Sequence, residues 1–156
     1  MQVADAPDFG PLEIDASWTI GIVRSSWHGE LTASLANDAT AELMRLGVSV
    51  SNIRTFDVPG TFELPLACQA ALGVCDAVIA IGVVVQGQTH HAELVAKEAA
   101  AGLMQVQLAL KKPITFEILF VETIGDAETR SKGPKSKGPI AARTVLTSLA
   151  KLREIQ

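Results

Sequence analysis

The stretch Ala77–Val85, AVIAIGVVV, contains no polar side chain. A surface helix or a half-exposed strand must place polar residues at its own period, so a run without any needs cover on both faces. It is too short to cross a bilayer, which takes about 18 to 20 apolar residues. The run therefore predicts a central strand of a parallel sheet, with helices above and below.

The flanking segments agree. Trp18–Arg24 is short and β-rich and predicts another buried strand. Leu31, Leu35, Ala39, Leu43 and Leu46 recur at helical spacing from Gly29 to Leu46, and Gly47 stops that helix. A strand over Val48–Val58 is closed by the turn pair Pro59-Gly60. Pro65 fits only a first helical turn, so the next helix begins at Glu63 or Leu64 and runs to Leu72. Polar Gln86–His91 opens a helix reaching Leu110, with Lys111 and Lys112 at its negative end and Pro113 closing it. Ile114–Val121 predicts the fourth strand and Glu122–Arg130 a loop with one or two helical turns. Ser131–Gly138 predicts a flexible basic linker, and Pro139–Gln156 the last helix. Four strand–helix alternations imply parallel strands joined by right-handed crossovers. The expected fold is a flavodoxin-like three-layer α/β/α sandwich on a four-stranded parallel sheet. Residues 1–17, with Pro7, Pro11 and no period, predict an N-terminal arm, and 18–156 the domain.

At 156 residues, with 48% apolar and 19% charged residues, the chain can bury its own core and is not disordered. A net charge of −4 argues against a nucleic-acid-coating face, although a local cluster of cations can still hold a small anion. Cys68 and Cys75 both lie in apolar stretches and predict buried thiols in a reducing compartment. The first residues have neither a basic start nor an apolar core, so no signal peptide is expected and the protein reads as cytoplasmic.

Ligands of open parallel sheets bind beyond the carboxyl ends of the strands. All three histidines, His28, His90 and His91, fall at those ends, with Trp27 and Phe62. Aromatic residues are only 4% of the chain, so two of them there suggest a face for a flat ligand. Gly87, Gln88 and Thr89 open a helix whose free N–H groups and dipole favour an anion. Arg130 follows a strand end and could pair with that anion, whereas Lys132 and Lys135 read as solvated linker. Adjacent histidines diverge on a helix and do not make a metal site, so one imidazole as a proton shuttle is the better reading.

VPGTFELP at 58–65, DAVIAIGVVVQGQTHH at 76–91, AETR at 127–130 and Lys137-Gly138 together resemble the lumazine synthase family, from about Ile20 onward. The resemblance implies condensation of 5-amino-6-(D-ribitylamino)uracil with 3,4-dihydroxy-2-butanone 4-phosphate, without metal or organic cofactor. By position, Trp27 resembles the aromatic that stacks on the pyrimidine, and Thr61, Phe62 and Glu63 the segment holding the ribityl chain. Val83, Val84 and Val85 would offer backbone groups to the same substrate. Gly87, Gln88 and Thr89 resemble the phosphate cradle, with Arg130 as its ionic partner. His91 matches the proton-transfer histidine, and Phe116 and Lys137 complete the pocket, Phe116 from an adjacent subunit. Gln86 stands where many members have Arg, and His28 where Asn is common. The family forms rings of five, some packed as pairs or as shells of twelve rings and sixty subunits, and riboflavin synthase is a partner it suggests. Neither nucleic acid nor membrane is implied. The rival readings are a flavin- or lumazine-binding or shell-forming homologue of weak activity, a flavodoxin-type electron carrier, and the archaeal type of riboflavin synthase. The electron carrier would need a Ser/Thr-rich phosphate loop after the first strand, and the last would need no phosphate site.

Overall fold

A computed structural model describes residues 6–156. Four strands, β1 (Ile20–Ser25), β2 (Ile53–Val58), β3 (Ala77–Val85) and β4 (Ile114–Val121), form one sheet in the order β2-β1-β3-β4. Every pairing is parallel, with Ile22 beside Ile79 and Val78 beside Ile114. Five helices cover it: α1 (Gly29–Arg45), α2 (Leu64–Ala71), α3 (His91–Leu110), α4 (Ile124–Ser131) and α5 (Gly138–Ile155). This is the α/β/α sandwich that the alternation predicts.

The apolar run owes its composition to its place. Ile79 and Ile81 belong to the core under α1 and α5, with Leu35, Leu43, Leu146 and Leu149. Val78 and Ala80 belong to the core under α2 and α3, with Leu64, Leu72 and Leu103. Successive side chains on β3 enter opposite cores, so no position faces water. Cys68 and Cys75 are free buried thiols, and burial pushes the Cys68 thiol up to about 12. Among the described residues, no helix is long and apolar enough to cross a membrane.

Three boundaries differ from expectation. β1 begins at Ile20, because Trp18 already fills the core while its N–H bonds to the Asp15 carbonyl in a turn (3.1 Å). β2 begins at Ile53, after a 3₁₀ turn over Val50–Asn52, so the edge strand is shorter than the apolar pattern suggested. The basic linker is structured: α4 runs to Ser131, a 3₁₀ turn spans Gly133–Lys135, and Lys132 is paired with Glu30 on α1 at 2.7 Å. Of the expected N-terminal arm, residues 1–5 lie outside the described residues. Residues 6–19 carry neither helix nor strand, and Leu12 and Ile14 pack against the core.

One ion cluster ties the helices of one face together. Glu42 on α1 is buried and accepts two bonds from Arg45 (2.8 and 2.7 Å) and one from Arg143 on α5 (2.7 Å). These partners hold its carboxyl down at about 2, Arg45 contributing most, against the cost of burial. A depressed carboxyl stabilises the fold above its unfolded pKa of about 4.5 and loses that stabilisation as pH falls toward 2. The full shift corresponds to about 3 kcal/mol. Both arginines are about half exposed, so we expect Glu42→Gln to cost about 2 kcal/mol at pH 7. The deficit in urea unfolding should shrink as pH falls from about 5 toward 2.

Candidate active site

The chain leaves β1 for β2 on one side and then crosses to β3 on the other, so the loops after β1 and β3 diverge. That reversal opens a crevice at the carboxyl end of the sheet. Short main-chain bonds build its walls. The Ser26 N–H donates to the Val58 carbonyl (2.8 Å) and the Trp27 N–H to that of Pro59 (3.3 Å), zipping the β1–α1 loop to the end of β2. His28 then turns the chain into α1 in the left-handed conformation, φ 53°. For a non-glycine residue that costs about 1 kcal/mol or more.

Gly60 permits the next contact. A Cβ there would lie 2.9 Å from Glu63 Oε2 and 3.2 Å from Trp27 Cδ1, so its absence lets carboxylate and indole close over the turn. Thr61–Glu63 make one 3₁₀ turn, which drives Thr61 into the sheet. Gly82 on β3 receives it, since a Cβ at that position would stand 2.6 Å from Thr61 Oγ1.

The result is a pair of adjoining cavities that share Trp27, Thr61, His91 and Val95. One, of about 260 Å³, is floored by Val83, Val84 and Val85 and walled by His28. The other, of about 480 Å³, runs along Phe62, Glu63, Leu94 and Glu98. Trp27 is 71% exposed and Phe62 62% exposed, although both are large and apolar. Aromatic faces left open at a sheet's ligand end suit a planar guest.

Thus Trp27, Thr61, Phe62, Glu63, Val83, Val84, Val85 and His91 come together in one chain. Gly87, Gln88 and Thr89 form the turn before α3 and lie outside both cavity linings. The Gln86 side-chain amide donates to the Gly87 and Thr89 carbonyls (3.1 and 3.3 Å) and holds this turn shut. The helix cap is His90 rather than Thr89, whose hydroxyl accepts from the His91 N–H at 3.4 Å. Phe116 lies on β4 beside α3, in a separate apolar depression of about 200 Å³ with Leu103 and Met104. Arg130 ends α4, where it donates to the Asp126 carbonyl (3.0 Å) and stands 3.8 Å from the Asp126 carboxylate. Lys137 precedes α5, and its N–H donates to the Arg130 carbonyl (2.8 Å). None of these last three residues lines either main cavity.

The lining also includes residues that sequence reasoning did not assign: His28, Leu94, Val95 and Glu98. A signal existed for the α3 members. They follow His91 by three, four and seven positions, the spacing of one helical face.

A family model for 6,7-dimethyl-8-ribityllumazine synthase matches residues 17–153. The chain belongs to this family. A 6,7-dimethyl-8-ribityllumazine synthase of Clavibacter michiganensis is 38% identical, the match covering 97% of this chain and 96% of that protein. Its namesake in Paracidovorax citrulli is 40% identical over 87% of this chain and 88% of its own length. That of Protochlamydia amoebophila is 40% identical over 81% and 76%. The family match spans the cavity walls, the turn before α3 and the Arg130–Lys137 segment together.

Proposed function

We propose that this chain is a lumazine synthase that joins 5-amino-6-(D-ribitylamino)uracil to 3,4-dihydroxy-2-butanone 4-phosphate, releasing phosphate and water in riboflavin biosynthesis. The observation that carries the reading is the convergence of Trp27, Glu63 and His91 on one crevice, in a chain of this family. Trp27 stacks on the pyrimidine. Thr61, Phe62 and Glu63 hold the ribityl chain, and the backbone of Val83–Val85 meets the ring. Gly87, Gln88 and Thr89 cradle the phosphate at the N-terminus of α3, where first-turn N–H groups have no acceptor within the helix. An aromatic amine and an activated ketone need no strong nucleophile. Holding them side by side converts an encounter into a unimolecular step. His91 relays the protons as carbinolamine becomes imine, phosphate departs and the ring closes.

Phe116, Arg130 and Lys137 stand apart from the cavities of their own chain, which supports a site completed by a neighbouring copy. Large apolar side chains exposed along α3 and β4, including Met104, Leu108, Phe116 and Phe120, support a broad contact between copies. A ring of five in head-to-tail contact would present one copy's β4–α4 edge to the next copy's crevice. The proposed enzyme is cytoplasmic, and riboflavin synthase, which would consume its product, is a proposed partner.

Incubating the protein with both substrates should produce the fluorescent lumazine, with particle mass distinguishing a single ring from a pair or a shell of twelve. We expect Arg130→Ala to raise KM for the phosphorylated ketone by about tenfold to thirtyfold, since it removes a charge-assisted contact. Its kcat should stay within about threefold. Unchanged saturation by that substrate would remove Arg130 from the phosphate site.

A further inference from the structure

The loop that carries Trp27 is fastened by a cation with no part in the reaction above. Arg24 lies on β1, beside Asp57 on β2 in register. It shares its face of the sheet with Ile20 and Ile22, which enter the core under α1 and α5. The guanidinium grips Asp57 with two bonds, Nε to Oδ1 at 2.8 Å and Nη2 to Oδ2 at 3.0 Å. Its third nitrogen, Nη1, donates to the Gly29 carbonyl at the start of α1 (3.2 Å) and reaches the Thr32 hydroxyl at 3.4 Å. Buried Thr32 in turn donates to the Ser25 carbonyl (2.7 Å), and the buried Ser25 hydroxyl reaches the Trp27 carbonyl at 3.4 Å. Trp27 and His28 thus sit on a short bridge whose two ends, β1 and α1, are tied to each other and to the end of β2. The left-handed backbone of His28, φ 53°, persists only where its surroundings fix it. Main-chain bonds from Ser26 and Trp27 hold one side of the bridge to Val58 and Pro59, and Arg24 ties the α1 side to Asp57.

We propose that Arg24 is a positioning residue that holds the Trp27 indole in the place where it stacks on 5-amino-6-(D-ribitylamino)uracil. The inference rests on the reading that Trp27 is the stacking face. The Asp57 side chain is 54% exposed, and an ion pair so open to water adds little to stability. What the pair supplies is geometry. A planar guanidinium spans a carboxylate and a carbonyl at fixed angles, which a lysine ammonium does not. Without that span the α1 end of the bridge comes loose and His28 is free to relax from its strained backbone. The indole then leaves its seat over Gly60 and Glu63. The turn before α3 follows β3 and takes no bond from Arg24, so the loss falls on the uracil and not on the phosphorylated ketone.

The test is steady-state kinetics of the intact assembly with each substrate varied in turn. Arg24→Met keeps the aliphatic stem and loses the clamp. KM for the uracil should rise about fivefold to twentyfold, with KM for the phosphorylated ketone within about twofold and kcat within about threefold. Asp57→Asn, a second route if the first variant folds poorly, should raise the same KM. The double variant should raise it no further than the larger single change, because both remove one clamp. Arg24→Lys should recover only part of the loss. Glu42→Gln, destabilised at the other end of α1, should leave both KM values within about twofold and so controls for stability alone. Time-resolved tryptophan anisotropy provides a readout that needs no turnover. Trp18 is buried and Trp27 exposed, so nanosecond depolarisation reports Trp27. Its fast component should grow in Arg24→Met and vanish in Trp27→Phe. An unchanged KM for the uracil in Arg24→Met would overturn the proposal, as would an equal rise for both substrates or an equal rise in Glu42→Gln. If the unaltered protein makes no lumazine, the functional reading fails instead. The anisotropy then decides whether Arg24 holds Trp27: a larger fast component in Arg24→Met upholds the positioning role, and an unchanged one overturns it.

Discussion

Alanine in place of His91 is expected to lower kcat for lumazine formation by about a hundredfold, with KM for either substrate changed less than about threefold. His91 is the first residue of α3 and lines both cavities, so its ring reaches both the floor near Val83–Val85 and the wall near Glu63. Condensation moves protons at several steps, and an imidazole can both accept and donate them. Its loss forfeits the lower part of the range that general acid–base groups supply, about a hundredfold to ten-thousandfold. The low end applies because both reactants are already reactive, and the crevice still aligns them. His90 supplies the contrast. It lines neither cavity, and its ring stands 3.8 Å from the Glu93 carboxylate at the surface. His90→Ala should therefore leave kcat within about twofold. Stopped-flow fluorescence of the product under saturation by both substrates checks the pair. Equal losses in the two variants would remove His91 from proton transfer.

The sheet was readable because its central strand allows no alternative: Val78 and Ile79 enter different cores, and only a covered parallel strand asks for that. The crevice was readable as far as strand ends could be placed, which covers Trp27, Thr61 to Glu63 and His91. Other features depend on contacts between residues distant in sequence. Nothing local shows that Lys132 reaches Glu30, so Ser131–Gly138 looked like a free linker although an ion pair, the end of α4 and a 3₁₀ turn hold it. Phe116 and Lys137 could be named as site residues only through family resemblance, because one chain does not gather them, whereas Arg130 was also suggested by its place after a strand end.

Gly138→Ala is expected to destabilise the protein by about 3 kcal/mol, read as a lower urea midpoint at fixed protein concentration. Helix propensity alone predicts the opposite sign, since alanine is better than glycine within a helix by up to about 1 kcal/mol. Nor does Gly138 have a positive φ that would bar a side chain. The contact between α1 and α5 decides. A Cβ at Gly138 would lie 2.6 Å from the Leu35 carbonyl oxygen, 2.7 Å from Asp38 Cβ and 2.9 Å from the Ala39 nitrogen. Two of those three atoms are main chain and cannot rotate aside. The helices must separate, and Leu35, Ala39, Val145 and Leu146 then lose contacts in one shared core. Overpacking of this kind costs about 1 to 3 kcal/mol, and a backbone obstacle puts the cost at the upper end. Gly125→Ala is the control. It too lies in a helix, but the nearest atom to its Cβ is Thr123 Oγ1 at 3.7 Å, an ordinary contact. It should be neutral or stabilise by up to about 1 kcal/mol. Because Lys137 immediately precedes Gly138, any Gly138→Ala protein that still folds should also show a higher KM for 5-amino-6-(D-ribitylamino)uracil, whereas Gly125→Ala should not. A stable Gly138→Ala protein with unchanged KM would mean that α1 and α5 are not packed this closely in the assembled protein.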